Sequence, residues 1–152
     1  MWFNISIEGI FVFREFDMSV VDEHLKFLNS VNFDKQLLRL NKKLKNKTVV
    51  IYGTGILFQK ILKNYDLSNL NIIGVSDRRF TLDKEGEDCL GYKIIPLDCI
   101  EKYNPDYVLV ATLKFLGILD NFRNNTFKNT KIKVLPLVDK PFITLLKEIF
   151  ED

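Results

Sequence analysis

Histidine is almost absent from this chain, which carries only His24, and cysteine is nearly so, with Cys89 and Cys99 alone. One imidazole, far in sequence from the glycines at 53 and 55 and without a serine, cysteine or carboxylate arrangement suggesting a triad, gives no case for a catalytic triad or a histidine-based metal site. His24 therefore reads as a partly exposed helix residue. The cysteines stand ten apart without C-x-x-C spacing, which argues against a zinc site or a redox pair and suits reduced thiols in a cytoplasmic protein. Charge excess is also missing. A formal net charge of +2 gives no case for a nucleic-acid partner or a strongly attracted membrane surface. No apolar run is long enough to span a bilayer. The opening stretch from Met1 to Phe13 is interrupted by Glu8 and lacks both a basic start and an A-x-A-like cleavage site, so it reads as neither a secretory signal nor a membrane segment.

What is present is ordinary for a soluble domain: 152 residues, 47% hydrophobic and 28% charged, with no internal repeat and no low-complexity linker. Lysine far outnumbers arginine, and asparagine, isoleucine and phenylalanine are plentiful, a bias expected of an AT-rich, bacterial genome. The texture changes near residue 46. Residues 1–46 read as an N-terminal arm: apolar residues from Ile5 to Phe13 suit a strand, and Ser19-Val-Val-Asp22 resembles a helix-opening capping box. Val21, Leu25 and Leu28 recur at helical spacing, and after a break near Asn29 to Asn32 a second helical stretch carries Leu37, Leu38, Leu40 and Leu44. The arm is expected to pack on its own sheet rather than on a second copy of the chain.

Residues 47–152 alternate apolar runs with helical stretches, the pattern of βα units. The fold class expected is α/β: a Rossmann-like parallel sheet of about five strands with helices on both faces. Strands are predicted at Thr48 to Tyr52, Asn71 to Ser76, Tyr92 to Ile95, Asp106 to Ala111 and Lys131 to Leu135. The first helix should bury Leu57, Phe58, Ile61, Leu62 and Tyr65; others are predicted at Leu97 to Tyr103, Phe115 to Phe122 and Pro141 to Phe150.

The turn after the first of these strands, Gly53-Thr54-Gly55-Ile56-Leu57, holds the chemistry. Gly53 can take the positive φ of a sharp exit from the strand, and Gly55 has no Cβ to keep a phosphate from the backbone. The following helix points its unpaired amides and the positive end of its dipole at an entering anion. Asp77 ends the next strand at roughly the 20-residue spacing where a carboxylate meets ribose hydroxyls. In place of the third glycine of G-x-G-x-x-G stands Phe58, so the helix is expected to stand further off the sheet. Strand order should reverse beside the first strand, opening a crevice that sets Gly53 to Leu57 opposite Thr112 and Lys114. Arg78 and Arg79, directly after the acid, read first as solvated loop charges, and the alternative is a guanidinium that meets a ribose 2′-phosphate or a nucleotide base edge. Candidate nucleotide-binding residues are thus Gly53, Thr54, Gly55, Ile56, Leu57, Asp77, Arg78, Arg79, Thr112 and Lys114.

Other constellations read as structure. The acidic loop from Asp83 to Asp88 lacks the ordered ligand spacing of a calcium loop and reads as solvated, beside the expected ribose position. The basic run Arg39, Lys42, Lys43, Lys45 and Lys47 has no interleaved aromatic residue and suits a helix C-terminus. No Tyr-x-x-x-Lys pair of the dehydrogenase and epimerase type is present, no metal site is expected, and no catalytic residue can be named.

One family pattern is matched by these motifs in sequence: strand, Gly-x-Gly turn, Ile73-Gly-Val-Ser-Asp77, a variable loop, Gly91-Tyr-Lys-Ile-Ile-Pro96 and Pro105-Asp-Tyr-Val-Leu-Val-Ala111. Over about Lys47 to Lys140 the chain resembles the Rossmann-like N-terminal domains of bacterial polysaccharide-biosynthesis proteins, the CapD-like nucleotide-sugar dehydratases and related sugar acetyltransferases. The resemblance implies NAD or a nucleotide-sugar at Gly53 to Ile56, with Asp77 near the ribose, in a protein linked to surface-polysaccharide synthesis. The catalytic portions of both enzyme types fall outside these residues, which implies a binding domain without a complete active site. Three alternatives stay open: an enzyme completed by a homodimer partner or a separate catalytic chain, a CoA-binding domain, and an interaction module on the same scaffold.

Overall fold

The computed structural model describes residues 23–141 and 149–150. Its centre is a four-stranded parallel sheet in the order β2-β1-β5-β6, built from β1 (Thr48–Tyr52), β2 (Asn71–Ser76), β5 (Tyr107–Val110) and β6 (Lys133–Pro136). The chain works outward from β1 in both directions, so the order reverses between β1 and β5. The central strands are nearly all apolar because both faces are covered, as parallel sheets require. Alternate residues sort to the two faces. Val49, Ile51 and Leu109 join one core cluster, and Val50, Val108 and Val110 join the other.

Three helices cover the first face: α1 (residues 23–30), α2 (Phe33–Lys43) and α3 (Ile56–Asn64). Asn32, in the left-handed region at φ 53°, breaks α1 from α2. Leu28, Phe33, Leu37 and Leu44 enter the same core as Val49, Ile51, Leu57 and Phe58, and the rings of Phe33 and Tyr65 meet edge to face at 4.9 Å. The described part of the arm therefore packs on its own sheet. Leu38, expected on the apolar stripe, is instead 63% exposed, because Phe33 and Leu37 define the buried face of α2. Gln36 carries the join further, donating to the Asp139 carbonyl at 3.0 Å and accepting from the Asp139 amide at 2.7 Å.

The second face is covered by α4 (Ile100–Tyr103) and α5 (Leu116–Asn121), with a π-helical turn at Phe122–Thr126 continuing α5. Arg123 of that turn donates to the Val134 carbonyl at 2.6 Å and so ties it to β6.

The strand expected over Tyr92 to Ile95 has a different form. β3 (Asp88–Cys89) and β4 (Tyr92–Lys93) make a short antiparallel hairpin whose turn places Leu90 and Gly91 at positive φ. The chain then passes β2 with a single parallel bridge, Ile94 to Val75, and Pro96 ends the run. Among the described residues the sheet consequently has four strands rather than five, and residues 93–95 cover its β2 edge. Gly74 permits this approach, since a Cβ there would lie 2.8 Å from the Lys93 carbonyl oxygen.

The strand expected at residues 5–13, the capping box at 19–22 and most of the helix expected at 141–150 lie outside the described residues.

Candidate functional site

Gly53 leaves β1 at φ +109°, donates to the Ser76 carbonyl at 2.8 Å, and lies close to the segment after β5. A Cβ here would stand 3.0 Å from Thr112 Cγ2 and 3.2 Å from the Ala111 carbonyl oxygen, so glycine is required by both conformation and space. Thr54 is buried, and its amide and its hydroxyl each donate to Asp77 Oδ2 at 2.9 Å. Asp77 Oδ1 accepts from the Arg79 amide at 3.2 Å and from Arg79 Nε at 3.3 Å, while Arg79 Nη2 donates to Thr54 Oγ1 at 2.7 Å.

The carboxylate thus accepts four hydrogen bonds from the turn and its neighbour, the full complement of its lone pairs. Burial pushes its pKa up, but the bonds from Thr54 and Arg79, with the arginine charge, outweigh this and hold it below the ordinary carboxylate value. Asp77 faces inward and fastens the turn, and Arg79 is bound into the same network.

Beyond Thr54 the turn is open. Gly55 caps α3 with nothing within 4 Å of the position a Cβ would take. Ile56 is 54% exposed, whereas the Leu57 side chain enters the core, so Leu57 offers only its amide to a ligand. The first amides of α3 have no helical carbonyl to reach. Phe58, in the third-glycine position, is fully buried in the α3 core and its ring lies 6.5 Å from that of Tyr92.

Two cavities open at the carboxyl ends of the strands. The inner one, about 510 Å³, lies where strand order reverses, between Gly53 and Thr112 and against Tyr52, Ile118 and Phe122. The outer one, about 520 Å³, is walled by Phe80, Leu82 and Pro96, with Asp83 and Asp98 also lining it. They share Asp77, Arg78 and Leu97.

Arg78 and Arg79 have different environments: the Arg78 guanidinium has no hydrogen bond or ion pair with any described residue, and it borders both cavities. Thr112 Oγ1 is buried and has no hydrogen-bond partner among the described residues. Tyr52, largely buried, has its pKa pushed up chiefly by burial and also by Asp77, against the opposing Arg78 charge and amide, so it remains a neutral phenol.

Of the expected residues, the structure brings Gly53, Asp77, Arg78 and Thr112 onto one cleft, with Gly55 and Ile56 at the adjoining helix end. Lys114 is exposed and lines neither cavity. Sequence reasoning missed Tyr52, Leu97 and the α5 residues Ile118 and Asn121. Tyr52 was within reach, since the last residue of a strand before a glycine turn stands at the mouth of the crevice.

The acidic loop has a specific attachment. Glu85 accepts from Tyr103 Oη at 2.6 Å and pairs with Lys102 Nζ at 2.8 Å, and Cys99 Sγ lies 3.6 Å away. The Lys102 bond first, then that of Tyr103, lowers the Glu85 pKa to about 2. This clasp fixes the loop that walls the outer cavity onto α4. Both thiols are free, and burial raises the pKa of each. Among the described residues no cluster of three or more His, Cys, Asp or Glu could hold a metal, and no helix is long and apolar enough to cross a membrane.

Comparison with known proteins gives a family. A family model described as C2185-like, N-terminal matches residues 45–133. No curated protein matches the chain. Among solved structures the chain is similar to the protein in "Crystal structure of RSP in complex with beta-NAD+ and operator DNA", at 17% identity and a TM-score of 0.41. That similarity covers 78% of this chain and 61% of the other, so this chain spans less than two thirds of its length.

Proposed function

The chain belongs to the C2185-like, N-terminal family, and we propose that it binds a nucleotide-containing ligand at the carboxyl ends of β1, β2 and β5. One observation carries the reading: an open cleft at the strand-order reversal, with a glycine turn at its edge and, lining it, an arginine whose guanidinium has no hydrogen bond or ion pair with any described residue. Such crevices are where open α/β sheets take their ligands. In this reading Asp77 shapes the turn, while Arg78, Thr112 and the first amides of α3 face the ligand. The ligand is NAD or a nucleotide-sugar, and the link to bacterial surface-polysaccharide synthesis rests on the sequence resemblance alone. Among the described residues no group in the cleft is arranged as a nucleophile with its base, and binding rather than turnover is the role proposed.

The test is a thermal-shift series with NAD, NADP, CoA and UDP-sugars. A ligand that binds only the native chain raises the melting temperature by an amount that grows with the logarithm of one plus ligand concentration over Kd. A concentration-dependent rise with a nucleotide supports the reading, and no rise with any of the four classes rejects it.

A further inference from the structure

A second groove, sharing no lining residue with the cleft, runs between α2 and the chain at the end of β6. It consists of two open cavities of about 270 and about 360 Å³ that have Gln36, Arg39 and Asp139 in common. None of its lining residues falls within 45–133, the span matched by the family, so the groove is built from the residues on either side of that span. The two hydrogen bonds between Gln36 and Asp139 fix its walls. Val31, Leu40, Leu135 and Pro136, each partly exposed, supply an apolar floor.

Its rim is a row of cations. Lys35, Arg39 and Lys43 are exposed, line the groove and stand four residues apart on α2, so they follow one another at about 6 Å along one side of the helix. None of the three side chains has an ion pair or hydrogen bond with a described residue. Asp139 is the single acid among the described residues that line the groove, and its carboxylate accepts from the Lys140 amide at 2.9 Å. Like charges four apart oppose helix formation. The negative end of the helix dipole compensates Lys43 in the last turn, but Lys35 stands in the first turn, where a cation is disfavoured. The row works against its own helix, and an anionic partner laid along it relieves both costs.

We propose that this groove docks an acidic amphipathic helix of a partner protein, its apolar stripe on the floor and its carboxylates on the row. Acids four apart on such a helix repeat at the same pitch of about 6 Å. An extended peptide is disfavoured, because the β6 edge has little backbone to offer. Lys133 and Leu137 turn their amides to β5, which leaves Val134 and Pro136 facing outward. The Val134 carbonyl already accepts from Arg123 Nε and Nη2, and Pro136 has no N–H. A helix bonds its own backbone and docks through side chains alone. A second copy seated symmetrically on the same face sets one cationic row against another. Among the described residues no aromatic side chain lines the groove for the bases of a nucleic-acid strand to stack on.

Fluorescence anisotropy with the whole chain tests this, using a labelled helical peptide of about 20 residues that carries a leucine stripe flanked by glutamates four apart. The peptide should bind saturably at about 50 mM salt and several-fold more weakly at about 300 mM, where charges are better screened. Replacing its leucines by serines should weaken binding at least about tenfold. Reversing two charges of the row, Arg39→Glu with Lys43→Glu, should do the same. Lys128→Glu, a reversal at an exposed residue outside the groove, should change binding by less than about threefold. Melting temperatures within about 3 °C of the native chain verify that the variants fold. Should the double variant fail to fold, Lys35→Glu decides, because an acid suits the first turn of α2; it should weaken the peptide at least about threefold. Absent binding, or binding insensitive to the row reversals, overturns the proposal. Tighter binding of a thymidine oligonucleotide or of phosphatidylglycerol vesicles to the same row also overturns it, in favour of a nucleic-acid or membrane contact. Neither result bears on nucleotide binding at the cleft.

Discussion

Asp77 reaches from the end of β2 to the amide and hydroxyl of Thr54, 2.9 Å from each, and so closes the first βα turn from the side of the neighbouring strand. The relationship is structural before it is functional. Asp77→Asn keeps the size of the side chain but replaces one of its two acceptor oxygens by an NH2 donor, which then faces donors of either Thr54 or Arg79. A loss of about 1–3 kcal/mol in urea unfolding is expected, typical of a disrupted charged hydrogen-bond network. A change within about 0.3 kcal/mol would show that the turn is held without it.

Glu85 provides a pH prediction. Its carboxyl is lowered from 4.5 to about 2 in the folded chain by Lys102 and Tyr103. A carboxyl whose pKa is lower folded than unfolded contributes stability that is complete above its unfolded value and is lost as pH falls through the folded one. The urea midpoint of the native chain should therefore decline from about pH 4.5 toward pH 2. In Glu85→Gln this decline should be shallower, and identical profiles would remove the clasp from the account.

Gly74 tests the packing of residues 93–95 on the sheet edge. A Cβ there meets Ile95 Cδ1 at 2.5 Å, which can move, and the Lys93 carbonyl oxygen at 2.8 Å, which is backbone. Gly74→Ala should destabilise by about 1–3 kcal/mol, and adding Ile95→Val should recover only part of that. Full recovery by the second change would mean that the backbone contact yields freely.

Gly55 is the opposite case, because the space beside it is open and its φ of −80° suits any residue. Gly55→Asp should leave the melting temperature within about 2 °C, since surface changes of this kind usually stay within about 0.5 kcal/mol. The same variant should lose most nucleotide affinity, because a carboxylate then stands where the anion enters. A variant that binds normally would remove the α3 amides from the site.

The strands β1 and β2 can be read to their end residues because Thr48-Val-Val-Ile-Tyr and Asn71-Ile-Ile-Gly-Val-Ser are β-branched runs bounded by turn residues. The turn at Gly53 is equally legible, since only glycine tolerates its φ. Residues 92–95 are harder. Their apolar pattern suits a strand, but pairing is decided by the Leu90-Gly91 turn, which sends β4 back along β3. Asp77 shows the limit within the site. Its place at the end of β2 follows from spacing, whereas the direction of its carboxylate depends on the Thr54 and Arg79 side chains, a choice that no spacing encodes. The contrast between Arg78 and Arg79 is hidden for the same reason, being set by which guanidinium lies within reach of an acid.

The central claim is that the cleft between Gly53 and Thr112 receives a nucleotide. Its most direct test is a titration of the isotopically labelled chain with NAD and with UDP-glucose, followed by amide NMR. The account predicts saturable shifts concentrated at Gly53, Gly55, Ile56, Arg78, Thr112 and Ile118 for at least one of them. Saturable shifts clustered on the α2 and β6 face, or no shifts with either compound, would contradict it.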